Sequence, residues 1–123
     1  MTYHDKIQLT FIIIAPPDQA EEGDRLFRSH GLWMEGTHHR SGEKALLSYN
    51  VSKGPEISNP MDLNSATGNT CFVLSEIYES KAGVLDHFKQ ADENWGDVHA
   101  FRKWLEKCKV TIVPAASIIN SLW

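Results

Sequence analysis

The stretch Thr70-Cys71-Phe72-Val73-Leu74-Ser75-Glu76-Ile77-Tyr78-Glu79 decides the reading of this chain. Side chains alternate along an extended backbone, so Phe72, Leu74, Glu76 and Tyr78 share one face and Cys71, Val73, Ser75 and Ile77 the other. A strand is expected over 70–79. Ser80 follows as a helix N-cap residue. From there the apolar residues fall at Val84, Phe88, Ala91, Trp95, Val98 and Phe101, spacings of three and four that mark one helical face. Gly96 interrupts the run, which predicts either a kinked helix or two helices, Lys81 to about Asn94 and Asp97 to about Lys107.

The remaining elements are read outward from this segment. Ile7 to Ala15 is an apolar run ending at Pro16-Pro17, a buried strand. Pro17 suits a first helical position, and Asp18, Glu21 and Glu22 put negative charge at the positive end of the helix dipole. Gly31 is placed to end that helix in a left-handed conformation. Leu32-Trp33-Met34 then forms an apolar segment whose geometry stays open, another helical turn included. A second strand is expected from about Lys44 to Val51. Ser52 to Asn69 is rich in Gly, Pro, Asn and Ser with no period of 2 or 3.6, and reads as an irregular arm or lid. The last strand runs from Val110 to about Leu122, and Pro114 inside it points to a sheet edge or a break. The order βαββαβ implies an α+β fold, ferredoxin-like, with a four-stranded antiparallel sheet in the order 4-1-3-2.

A chain of 123 residues is too short for two cores, so one domain is expected over residues 1–123. Its net charge of -4 and the lack of a cation cluster argue against nucleic-acid binding. No apolar run nears the roughly 20 residues that cross a bilayer, and Met1 to Lys6 is polar, so neither a membrane span nor a secretory signal is read. Cys71 and Cys108 lack metal-type spacing; they read as reduced thiols packed as small hydrophobes, with a disulfide or a reactive thiol as the alternatives. These features together predict a cytoplasmic protein.

The strands are apolar on both faces: Ile12 and Ile14 oppose Phe11 and Ile13, and Val73 and Ile77 oppose Phe72 and Leu74. Helices in this topology cover one face only, so the other is expected to meet a second copy in a homodimer paired through sheet faces. The alternative is that the 52–69 connection folds over it.

Phe72-Val73-Leu74-Ser75-Glu76-Ile77-Tyr78-Glu79-Ser80, with Ala82 and His87 beyond, resembles the hallmark segment of the antibiotic biosynthesis monooxygenase-like family within the dimeric α/β-barrel superfamily. That segment is an apolar strand carrying Glu-x-aromatic, then a helix with Ala and, five residues later, His. The resemblance implies a ferredoxin-like monomer pairing through its sheets, with a cavity between sheet and helices. Some members oxygenate polycyclic aromatic substrates without metal or flavin. Others bind and open heme with an Asn on the first strand and a Trp and a His on the second helical region. This chain has no Asn in Ile7 to Ala15, and His87 stands where those relatives carry their Trp.

His87 is the candidate catalytic residue, because imidazole exchanges protons near neutral pH and the residue borders the apolar stripe; it could equally lock the helix to a strand. Glu76, Tyr78, Trp95 and Trp33 are the candidate substrate-binding residues. A carboxyl among apolar neighbours must be paired or hold its proton, and Glu76 could also meet a Lys or Arg across the dimer seam. Trp33, Trp95, Trp104 and Trp123 could stack on a flat substrate or fill core and interface. Adjacent histidines such as His38 and His39 would point to opposite faces if extended, and they are read as surface or loop residues with His4, His30 and His99; a metal would need ligands from several elements, and none is assigned. The function expected is binding of an aromatic or polycyclic small molecule, with cofactor-independent oxygenation as its catalytic form. A non-catalytic binding or interaction module is the alternative, and heme binding the third.

Overall fold

The computed structural model describes residues 2–123. Strand β1 (Ile7–Ala15) passes through one 3-10 turn (Pro17–Gln19) into helix α1 (Ala20–Thr37). Strands β2 (Leu46–Ile57) and β3 (Ala66–Tyr78) follow, then helices α2 (Lys81–Asn94) and α3 (Val98–Glu106), then β4 (Lys109–Ser117). The strands form one antiparallel sheet in the order β2-β3-β1-β4, so the architecture is α+β with three α-helices among the described residues. Taken from its other edge, this is the strand order expected from the sequence.

The central pair sets the core. β1 and β3 align so that Leu9 faces Glu76, Phe11 faces Leu74 and Ile13 faces Phe72. Leu9, Phe11, Ile13, Phe72, Leu74 and Tyr78 are all buried against helix residues Leu26, Phe27, Val84, Phe101 and Trp104. Gly23 lets α1 reach the sheet: a Cβ there would lie 2.6 Å from both Phe72 Cζ and Trp104 Cζ2. Ser80 caps α2 by accepting the Ala82 N–H at 3.2 Å. Helix α2 spans the residues read from the sequence, and α3 begins just after Gly96.

Three expectations are corrected. Gly31 does not end the first helix, which continues to Thr37 and closes with the His38 N–H on the Met34 carbonyl at 3.0 Å. Continuing the helix carries the stripe of Leu26, Phe27 and His30 on to Met34, which is buried. That burial outweighs the helix penalty of one glycine, about 1 kcal/mol. Ser52 to Asn69 is not an irregular arm: β2 and β3 extend through it to Ile57 and Ala66, leaving a short reversal tied by the Ser58 N–H to the Ser65 carbonyl at 2.9 Å. Gly54 and Pro55 obscure the strand in the sequence, yet β2 is an edge, where a proline's missing donor is tolerated. The last strand stops at Ser117. Pro114 does lie on an edge strand, where the register slips between Gln8 and Thr10 and two β4 residues stand against Leu9.

The outer face carries Gln8, Thr10, Ile12 and Ile14 beside Cys71, Val73, Ser75 and Ile77. Gln8 Nε2 donates to Ser75 Oγ at 2.8 Å at its polar end, while Ile12 is 39% and Val113 46% exposed. No helix among the described residues packs on this face, and none is long and apolar enough to cross a membrane. Cys71 and Cys108 are free thiols.

Two glycines of α1 should respond to alanine with opposite signs. A methyl group at Gly36 would meet nothing within 4 Å, so Gly36→Ala should add about 0.5–1 kcal/mol of stability. Gly23→Ala should cost about 1–3 kcal/mol, since neither aromatic ring has room to retreat. Denaturant unfolding of both variants checks this; a stabilised Gly23→Ala would contradict the packing described.

Candidate functional site

Glu76, Tyr78, His87, Trp33 and Trp95, the candidates named from the sequence, converge on one place between the inner face of β3 and helices α1 and α2. Glu76 is wholly buried, and Tyr78, two residues on along the same face, donates its hydroxyl to Glu76 Oε1. The other carboxyl oxygen, Oε2, has no hydrogen-bond partner among the described residues. His30 Nε2 stands 3.9 Å from it, and His87 Nδ1 stands 3.6 Å from Oε1. His87 is 4% exposed and His30 3%. Trp33 and Trp95 stack at 5.5 Å with an interplanar angle of 19°, and Trp95 meets His30 edge-on at 5.0 Å.

No Lys or Arg among the described residues shares this cluster. Burial without a countercharge disfavours every charged form. It pushes the Glu76 carboxyl up to about 8, opposed in part by the Tyr78 hydrogen bond. It pushes His30 down to about 3 and His87 to about 2, with each imidazole further disfavoured by its histidine neighbours. Burial also raises the Tyr49 and Tyr78 phenols. At neutral pH Glu76, His30 and His87 are therefore mainly uncharged, and their close approaches are not salt bridges.

The proton positions follow from the hydrogen-bond pattern. Thr37 Oγ1 donates its one hydrogen to the Trp33 carbonyl at 2.7 Å, so it accepts from His38 Nδ1 at 2.9 Å. Neutral His38 then accepts at Nε2, and His87 Nδ1 donates to it at 2.8 Å. This leaves His87 Nε2 with a lone pair and no hydrogen-bond partner among the described residues. His30 Nδ1 lies 2.9 Å from the Tyr49 hydroxyl.

His87 and His30 close one end of a cavity of about 230 Å³ beneath α2 and α3, whose apolar walls include Phe11, Leu74, Phe88, Trp95 and Phe101. A wider groove of about 510 Å³ runs between α1 and β2, edged by Arg28, Leu32, Glu35 and Arg40. His38 and Tyr49 touch it, but Glu76 and His87 do not, so the smaller cavity is the one that meets the buried polar cluster.

Three members of the site are absent from the sequence reading. His30 and His38 read there as surface or loop residues; both are buried, and His38 closes α1. The apolar stripe of α1 contains the signal for His30, since it lies three residues after Phe27 and four before Met34. Tyr49 faces Glu76 across the β2–β3 ladder, a pairing that depends on register. Trp104 is core, with its indole N–H on the Gln19 carbonyl at 2.9 Å, and Trp123 is 93% exposed. No protein-family model, curated protein or solved structure matches the chain.

The raised Glu76 pKa has a testable sign. The folded state holds the proton more tightly than the unfolded chain, whose carboxyl titrates near 4.5. Stability from the neutral carboxyl is thus complete below about 4.5 and is lost as pH rises towards about 8. Glu76→Gln keeps the shape without the proton. In chelator-treated buffer, the wild type's stability deficit against Glu76→Gln should grow between about pH 5 and pH 8 and level off above. A constant difference in denaturant unfolding across that range would contradict the assignment.

Proposed function

We propose that this chain is a small-molecule-binding protein that takes an aromatic ligand of one or two rings into the cavity under α2 and α3, with a ligand hydroxyl donated to His87 Nε2. The observation that carries this reading is an aromatic-walled cavity ending on an imidazole nitrogen that the protein leaves unbonded. Its volume of about 230 Å³ exceeds the roughly 150 Å³ that admits benzene in an apolar protein cavity, and is too small for extended polycycles. An uncharged imidazole accepts a hydrogen bond well but is a weak base when burial holds its pKa near 2. Holding and orienting a hydroxyl is therefore favoured over removing its proton.

Oxygenation of the bound ring without a cofactor, the activity implied by the family resemblance, is the second reading. What favours it is His87 on the cavity wall with Glu76 and Tyr78 buried behind it, a set that can keep a proton out of water.

The expected test uses 2-naphthol and naphthalene with the protein in chelator-treated buffer, read by quenching of Trp33 and Trp95 fluorescence. The naphthol should bind, and His87→Ala should weaken it about tenfold, the value of one hydrogen bond, while naphthalene changes little. Equal binding of both probes by both proteins would overturn the hydroxyl assignment. Oxygen uptake with a dihydroxynaphthalene separates the readings: uptake lost in His87→Ala supports oxygenation, and none in either protein leaves binding alone.

We further propose that the subunit is ferredoxin-like and pairs through its outer sheet face as a dimeric α/β barrel. The support is the strand order together with the apolar residues Ile12, Ile14, Val73, Ile77 and Val113 on a face that no helix among the described residues covers. Such a face can supply the roughly 800 Å² per partner of a standard interface. Light scattering at micromolar concentration should give twice the 13.9 kDa chain mass, and Ile12→Lys should give the single mass. A wild-type monomer at every concentration tested would contradict the pairing.

A further inference from the structure

The two histidines at the end of the cavity and the carboxyl buried behind them share a feature that ligand binding does not require. His30, Glu76 and His87 come from α1, β3 and α2, and one ligand-type atom from each lies within 4.8 Å of the others. Each residue also has an atom engaged by a further partner. His30 Nδ1 meets the Tyr49 hydroxyl, His87 Nδ1 meets His38 Nε2, and Glu76 Oε1 accepts from Tyr78. Metal-binding imidazoles and carboxylates in proteins are commonly held by such outer partners.

A second observation points the same way. Glu76 Oε2 is fully buried, has no hydrogen-bond partner among the described residues, and faces the His30 Nε2 at 3.9 Å. An orphaned buried oxygen is costly, on the order of 1–3 kcal/mol, and calls for an explanation. A hydrogen bond to His30 is ruled out by the distance. A cation between them is not: metal–ligand bonds of about 2.0–2.2 Å put neighbouring ligand atoms roughly 3.0–3.5 Å apart, so a shift of about half an ångström brings this pair to ligand spacing.

We propose that His30, Glu76 and His87 bind one divalent first-row transition-metal ion, with its remaining positions open to the cavity. Two imidazoles and one carboxylate suit zinc, iron(II) or cobalt(II) and not calcium or magnesium, which take mainly oxygen ligands. With the ion present, an aromatic ligand's hydroxyl meets the metal in place of His87 Nε2. The site itself stands independently of that ligand.

The test is cobalt(II) titration of the untagged full chain after chelator stripping, with no aromatic compound present. Visible absorption and metal analysis after gel filtration should give one cobalt per chain, displaced by zinc. His30→Ala and Glu76→Gln should each weaken binding more than tenfold, Tyr49→Phe about tenfold through its hold on His30, and His99→Ala, on the exposed side of α3, not at all. Glu76→Gln removes the ligand charge while keeping the buried shape, so it reports even if His30→Ala fails to fold. Absence of cobalt uptake by the wild type, or uptake unchanged in Glu76→Gln, would overturn the proposal. Either result leaves naphthol binding in chelator-treated buffer untouched, so the two readings fail separately.

Discussion

Glu76 lies near the C-terminal end of a central strand, on the face that packs against the helices, with no cation from the described residues beside it. Leaving a carboxylate there would cost a large part of the net stability of a domain this size, so the group keeps its proton and its neighbours are arranged to match. Tyr78 supplies a hydroxyl to one oxygen, and the imidazoles of His30 and His87 approach without bonding. Their own burial holds them neutral. The polar cluster is electrically silent at neutral pH because none of its members is offered a countercharge.

The fold is organised to hold this cluster in position. Pairing of β1 with β3 fixes Leu9 against Glu76, and the apolar rows on either side exclude water. Gly23 brings α1 onto Phe72, which carries His30 to the level of Glu76, while Ser80 starts α2 where His87 faces inward two turns later. Tryptophans close the other side, each with its indole N–H engaged: Trp33 on Asn94, Trp95 on Ser29 and Trp104 on Gln19. The result is a cavity ending on His30 and His87, with the unbonded Glu76 oxygen buried behind them.

How much of this is legible in the sequence follows the range of each interaction. The alternation over 70–79 and the three-and-four spacing beyond Ser80 are local, and β3, α2 and the inward direction of Glu76, Tyr78 and His87 can be read from them. His30 lies within the helix read from the sequence, three residues after Phe27, but its burial depends on tertiary packing. His38 is hidden because Gly31 looks like a helix stop, and it becomes a cap only when the helix reaches Thr37. The β2–β3 hairpin is obscured because Gly54 and Pro55 break the alternation, although an edge strand tolerates both. Tyr49 joins the site through strand register, which no local pattern specifies.

The uncharged cluster of the metal-free protein depends on Glu76 being a buried carboxyl that keeps its proton. Its side-chain carbon can be labelled with carbon-13 and its chemical shift followed against pH in metal-free, folded protein. Titration is expected near pH 8, far from the ordinary carboxyl value, with the shift below it that of a protonated acid. Titration near 4.5 would mean an ionised carboxylate at neutral pH, and the uncharged cluster would not exist.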